Sequence, residues 1–168
     1  MMTEELRDKL METLKICDVH YERMMFAWTN LQKQFPITKQ NFLLITPMEL
    51  ALFDQLIYRF AKLQDSIGSR LFRQLLEALE EDYRGLPFID ILYKLEKLNL
   101  LDDAKDWIAL RQTRNMISHE YPFFQDIQIE ELNLLPDVVA KMSTIWNNLK
   151  EYSQQRLATE NRKAEGNG

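Results

Sequence analysis

Apolar residues recur at helical spacing along nearly the whole chain, and the breaks between them define about five segments. From about Thr3 to Gln34, Leu6, Leu10, Leu14 (or Met11), Cys17, Met24 and Trp28 return every three or four places, or at multiples of that spacing, with charges between them. Thr3 stands where an N-cap belongs. The cluster Met24-Met25-Phe26 reads as core packing. The stretch FPITKQNFLLITP, closed by Pro36 and Pro47, breaks the pattern. Its Ile37, Phe42, Leu43, Leu44 and Ile45 are expected to pack as a covering loop.

A second helix opens with Thr46-Pro47-Met48-Glu49: a capping threonine, a proline at the first helical position and a glutamate at the third. Its apolar face runs through Leu52, Leu56 (with Phe53), Phe60, Leu63, Ile67, Leu71 and Leu75 to about Tyr83, and Gly85 and Pro87 end it. Gly68 sits mid-pattern, as a site of close helix crossing or a kink. Pro87 can start a short third helix, PFIDILYKLEKLNLL. Asp102 or Asp103 caps a fourth, carrying Trp107, Ile108, Leu110, Met116 (or Thr113) and Ile117, which should run to Tyr121 because Pro122 disfavours helix there. The last begins near Asp126 and carries Leu132, Leu135, Val139, Met142, Trp146 (or Ile145), Leu149 and Tyr152, with Pro136 kinking or dividing it. No strand pattern, repeat or linker is evident. The fold class expected is all-α, an antiparallel up-and-down bundle of about five helices. Residues 1–157 form one domain, and 158–168 form a polar tail expected to be disordered.

Composition narrows the chemistry. At 168 residues, 46% hydrophobic and 28% charged, with four glycines and five prolines, the chain has a globular composition and few breakers. A net charge of −5 argues against a broad phosphate-binding face, but not against a compact site with one or two cations. Cys17 is the sole cysteine, so no internal disulfide is possible. Zinc spacings and Gly-rich phosphate loops are absent, and neither a metal nor a cofactor is expected. With a charged, amphipathic N-terminus and no apolar run of about 18 residues, the expectation is a cytoplasmic protein with no membrane contact.

One stretch stands apart: RNMISHEYP, residues 114–122. An arginine five places before one of two histidines arises by chance in roughly one such chain in eight, but a tyrosine two places after it lowers that to about 0.4%. Histidine can give and take a proton near neutral pH. A guanidinium can fork onto a phosphate. His119 is thus a candidate general acid or base, and Arg114 a candidate phosphate contact. Asn115, four before His119 and on the same helical face, could orient the imidazole or contact substrate. Ser118 is grouped with it as a supporting residue. The same residues also admit a bland reading: Arg114 in a surface pair with Glu120 or another acid, His119 as a helix C-cap and Tyr121 packed. Elsewhere, His20 lacks this context and reads as a partly buried or surface helix residue. Asp54, Asp65, Glu80, Glu81 and Asp82 read as a solvated face. Arg70 and Arg73 read as helix-surface arginines that could extend an RNA path.

The run Arg114-Asn115-Met116-Ile117-Ser118-His119-Glu120-Tyr121 resembles the Arg-x4-His-x-Tyr motif of the HEPN superfamily, and within it the HepT-like branch, some of whose members are called nucleotidyltransferase substrate-binding proteins. The resemblance implies a HEPN-like bundle and a metal-independent endoribonuclease acting as the toxin of a two-gene module. It implies a homodimer whose two motifs share a composite cleft, with Arg114 and His119 catalytic. It also implies that Tyr121 accepts AMP from a cognate minimal nucleotidyltransferase, the antitoxin. RNA is the expected substrate, and no DNA partner is expected. The runner-up is a non-catalytic, substrate-binding partner subunit of a nucleotidyltransferase.

Overall fold

The computed structural model describes residues 1–117 and 125–166, and their side chains apart from 125–127 and 165. It is all-helical, with no strand among the described residues. The helices are α1 (Glu4–Leu31), α2 (Lys39–Leu43), α3 (Pro47–Ser66), α4 (Phe72–Ala78), α5 (Phe88–Lys97), α6 (Ala104–Ile117), α7 (Gln125–Leu132) and α8 (Leu135–Gly166). A 3₁₀ turn, Gln32–Gln34, follows α1, and a π turn, Ile67–Leu71, joins α3 to α4.

The caps follow the sequence chemistry. Leu6 N–H donates to Thr3 Oγ1 at 3.1 Å. At α3, Glu49 N–H donates to Thr46 Oγ1 (3.2 Å) and Thr46 N–H to Glu49 Oε2 (2.8 Å), a reciprocal capping box. Asp103 caps α6 through the Lys105 N–H at 2.8 Å. Pro136 stands second in α8, where its missing N–H leaves no bond unmade, so the apolar run divides there. The second long helix stops at Ala78, short of Tyr83. Glu80 takes the left-handed conformation (φ 56°), and Glu81 N–H reaches back to Leu76 O at 2.9 Å. This six-to-one closure uses glutamate where glycine would be the obvious signal.

Residue pairings fix the directions. Between α1 and α8, partners fall from Met25 to Tyr21 to Asp18 as Ser143, Asn147 and Lys150 rise, so the two run antiparallel. His20 meets Arg59 and Lys9 meets Gln74, which sets α3–α4 antiparallel to α1. Trp107 stacks edge-on against Phe72 while Arg114 meets Asp65, which sets α6 antiparallel to α3. The four long helices form an up-down-up-down bundle. Its core holds Leu10, Met24, Leu56, Phe60, Phe72, Trp107, Met142 and Trp146, each removed from water and contributing about 1.5–3 kcal/mol as a large apolar side chain.

Three local expectations change. Phe26 does not join Met24 in the core; it is 64% exposed. The segment 35–47 covers only in part. Ile37 is buried, with its N–H and C=O both held by the Asn133 amide (2.7 and 2.9 Å), while Leu43 and Leu44 face outward. The tail is also not disordered as a whole, since α8 continues to Gly166. Arg156 docks on the end of α4 through Ala78 O at 2.9 Å, and Glu160, nearly buried, lies between Arg156 and Lys163.

Candidate functional site

Trp107, Arg111 and Arg114 recur at i, i+4 and i+7 on α6, so they share one face, turned toward α3. Between that face, the end of α3, the π turn and the start of α5 lies an open cavity of about 500 Å³. Arg111 and Arg114 line it from α6 and Arg73 from α4, with Asp65 the one carboxylate among the described lining residues. Trp107 and Phe88 supply apolar walls, and the Arg111 guanidinium lies 5.5 Å from the Phe88 ring centroid. Among the described residues, three guanidiniums and one carboxylate line this hollow in a chain of net charge −5.

The hollow exists because the helix wall is irregular. In the π turn, Phe72 N–H donates to Ile67 O, five residues back. The carbonyls loosened by this turn are taken up by Arg73 Nη1, at 3.1 Å to Gly68 O and 3.3 Å to Ser69 O. Gly68 is required by proximity: a Cβ there would lie 3.1 Å from Trp107 Cζ2. The close crossing and the helix irregularity, alternatives for Gly68 in the sequence, therefore occur together. Gln64 also lines the cavity. It is 4% exposed, and neither amide atom has a hydrogen-bond partner among the described residues.

Of the motif, Arg114 sits in the last described turn of α6 at the cavity edge, and its Nη2 lies 3.0 Å from Asp65 Oδ2. An acid that pairs with it thus stands on the facing helix: Asp65, assigned from sequence to a solvated face; Glu120 lies outside the described residues. The pair is one-third to one-half exposed, so its contribution to stability is small, about 0–1 kcal/mol. Asn115 is exposed, one residue off the cavity stripe. Ser118, His119 and Tyr121 lie outside the described residues. Arg70 is exposed on the π turn, whereas Arg73 is drawn into the cavity wall. His20 lies on the α1–α3 face with Nδ1 3.0 Å from Arg59 Nη1, away from the cavity lining.

Asp65, Gln64 and Arg111 belong to no motif, and sequence reasoning missed them as site residues. The available signal was the spacing Leu63, Ile67, Leu71, Leu75, a period of four that overshoots 3.6 and calls for a helix irregularity beside Gln64 and Asp65. No group of three or more His, Cys, Asp or Glu that could hold a metal occurs among the described residues, and no helix among them is long and apolar enough to cross a membrane. Compared with family models, curated proteins and solved structures, the chain matches none.

Proposed function

We propose that the chain is a HEPN-type, metal-independent endoribonuclease, the toxin of a two-gene module whose partner is a minimal nucleotidyltransferase that silences it by AMP transfer to Tyr121. The observation that carries this reading is the position of Arg114: it stands in the last turn of α6 at a cavity edge shared with Arg73 and Arg111. A cluster of guanidiniums beside apolar walls suits a phosphodiester substrate. In the proposed reaction Arg114 holds the scissile phosphate, and His119 either takes the 2′-hydroxyl proton as base or gives a proton to the leaving 5′-oxygen as acid. One such histidine per chain supplies one proton-transfer group, so a two-fold homodimer supplies the second.

The ion pair between Arg114 and Asp65 supports a second reading. If the guanidinium serves to tie α6 to α3, the chain is a non-catalytic, substrate-binding subunit of the nucleotidyltransferase.

Purified protein on mixed RNA, with and without EDTA, separates the two. Cleavage should persist in EDTA and fall about 10²–10⁴-fold in His119→Ala and comparably in Arg114→Ala, with helical circular dichroism unchanged. Arg114→Lys should restore little. Equal cleavage by His119→Ala ends the catalytic reading, and inactivity of the native chain favours the second. Light scattering should give a dimer. Incubation with ATP and the partner should add AMP to the native chain and not to Tyr121→Phe.

A further inference from the structure

Four side chains on the α1–α3 face have no role in the bundle core. Arg59 lies against His20, with Nη1 3.0 Å from the imidazole Nδ1. Tyr58, 52% exposed, has the Arg59 guanidinium 5.2 Å and the Lys62 ammonium 5.6 Å from its ring centroid. Arg23 stands one turn beyond His20 on α1. None of Arg23, Arg59 and Lys62 makes an ion pair among the described residues, whereas Lys150, elsewhere on the bundle, is matched to Asp18. Burial first, and then the positive charges of Arg59, Lys62 and Arg23, hold the His20 imidazole below its ordinary value. In an acidic protein, three cations gathered about one imidazole repel one another, and an external anion would relieve that repulsion.

Position then narrows the anion. Tyr58, Lys62 and Asp65 recur at helical spacing along the exposed face of α3, and Ser69 continues it into the π turn. Tyr58 lies about 10 Å along the axis from Asp65, the residue that meets Arg114. The cationic patch and the cavity therefore lie on one continuous helix face. An exposed aromatic ring among cations offers both features that an unpaired nucleotide needs, a stacking surface for the base and charge for the phosphate. An acidic polypeptide would use the cations and leave the ring without a role.

We infer that Arg23, Arg59, Lys62 and Tyr58 form a binding track for single-stranded RNA, leading along α3 to the cavity at Arg114. The track rests on the ribonuclease reading only for the direction in which the strand runs.

The test is fluorescence anisotropy of a short labelled single-stranded RNA with the full-length His119→Ala chain, which holds the strand uncut, over a range of salt. Arg23→Glu with Lys62→Glu, both on exposed positions, should weaken binding about tenfold or more and lower the salt slope by about 0.7 for each phosphate no longer neutralised. Tyr58→Ala should weaken it about tenfold. Thermal melts confirm that each variant is folded. Absence of binding, or binding unchanged in both variants, overturns the track. Equal binding of polyglutamate through the same residues also overturns it, in favour of an acidic protein partner. Cleavage of the same RNA by the chain with His119 intact is scored separately. Native cleavage that survives both variants, with binding unaltered, removes the track alone. Binding through these residues without cleavage removes the ribonuclease reading and leaves the track standing.

Discussion

The α1–α8 seam and the α3–α6 seam are both antiparallel helix pairings, and they are built differently. Along α1–α8 each level is occupied: Met25 with Ser143, Tyr21 with Asn147, Asp18 with Lys150, over a core that includes Trp146 and Leu149. Along α3–α6, Trp107 packs closely on Gly68, and beyond it Arg114 meets Asp65 at the edge of a hollow lined by guanidiniums. A seam packed along its length serves stability. A seam that leaves charged groups around empty space gives up packing energy that a plain bundle would keep, which is the physical reason to place function there.

Truncation should separate the two seams most sharply. Trp146→Ala in the filled seam should destabilise the chain by about 3–5 kcal/mol, because it leaves a cavity with no way to collapse. Arg114→Ala in the open seam should change stability by no more than about 1 kcal/mol. Denaturant unfolding of both variants measures the contrast, and comparable losses would erase it.

Gly68→Ala probes the close contact in the open seam. The added methyl would meet Trp107 Cζ2 at 3.1 Å. Overpacking of about 1–3 kcal/mol, offset by alanine's advantage of about 1 kcal/mol in a helix, leaves a net loss of about 1 kcal/mol. Trp107 emission should shift with it. A stabilised variant with unaltered emission would show that the tryptophan does not fix the crossing.

The smallest effect belongs to the α1–α3 face. His20 is held below its ordinary value of 6.5, so the unfolded chain binds this proton more readily than the folded one. Its contribution to stability should decline as pH falls through about 6.5 and level off below the folded-state value. His20→Gln should flatten that part of a melting-temperature profile, and a native profile already flat there would contradict the depressed value.

Periodicity and capping carried most of the architecture. Thr3, Thr46 with Glu49, Asp103 and Pro136 each announce a boundary through local chemistry, and those boundaries fall where the residues demand. The end at Ala78 was not legible, because a left-handed glutamate closes it where glycine would have been read. The helical tail was not legible either. It continues a helix that Arg156 has just docked on Ala78 O, with Glu160 between Arg156 and Lys163. At the site, Arg114 is marked by a short motif. Asp65, Gln64 and Arg111 join it only through the pairing of α6 with α3, which no local spacing reveals.

The π turn has a consequence for chain length. A regular helix turns about 100° per residue, so the three steps of four residues from Leu63 to Leu75 would drift steadily off one face. The turn at Ile67–Leu71 works as a vernier between two scales, resetting the phase so that Phe72, Leu75 and Leu76 point inward again after Leu63 and Ile67. Straightening the turn into ideal helix with the same number of residues would swing everything after it by about 100°, carrying those three side chains off the core, whereas deleting one residue there would leave an ideal helix with all three still inward. The stretch between Leu63 and Phe72 thus carries one residue more than a regular helix needs, and the turn lets it do so without moving the core face.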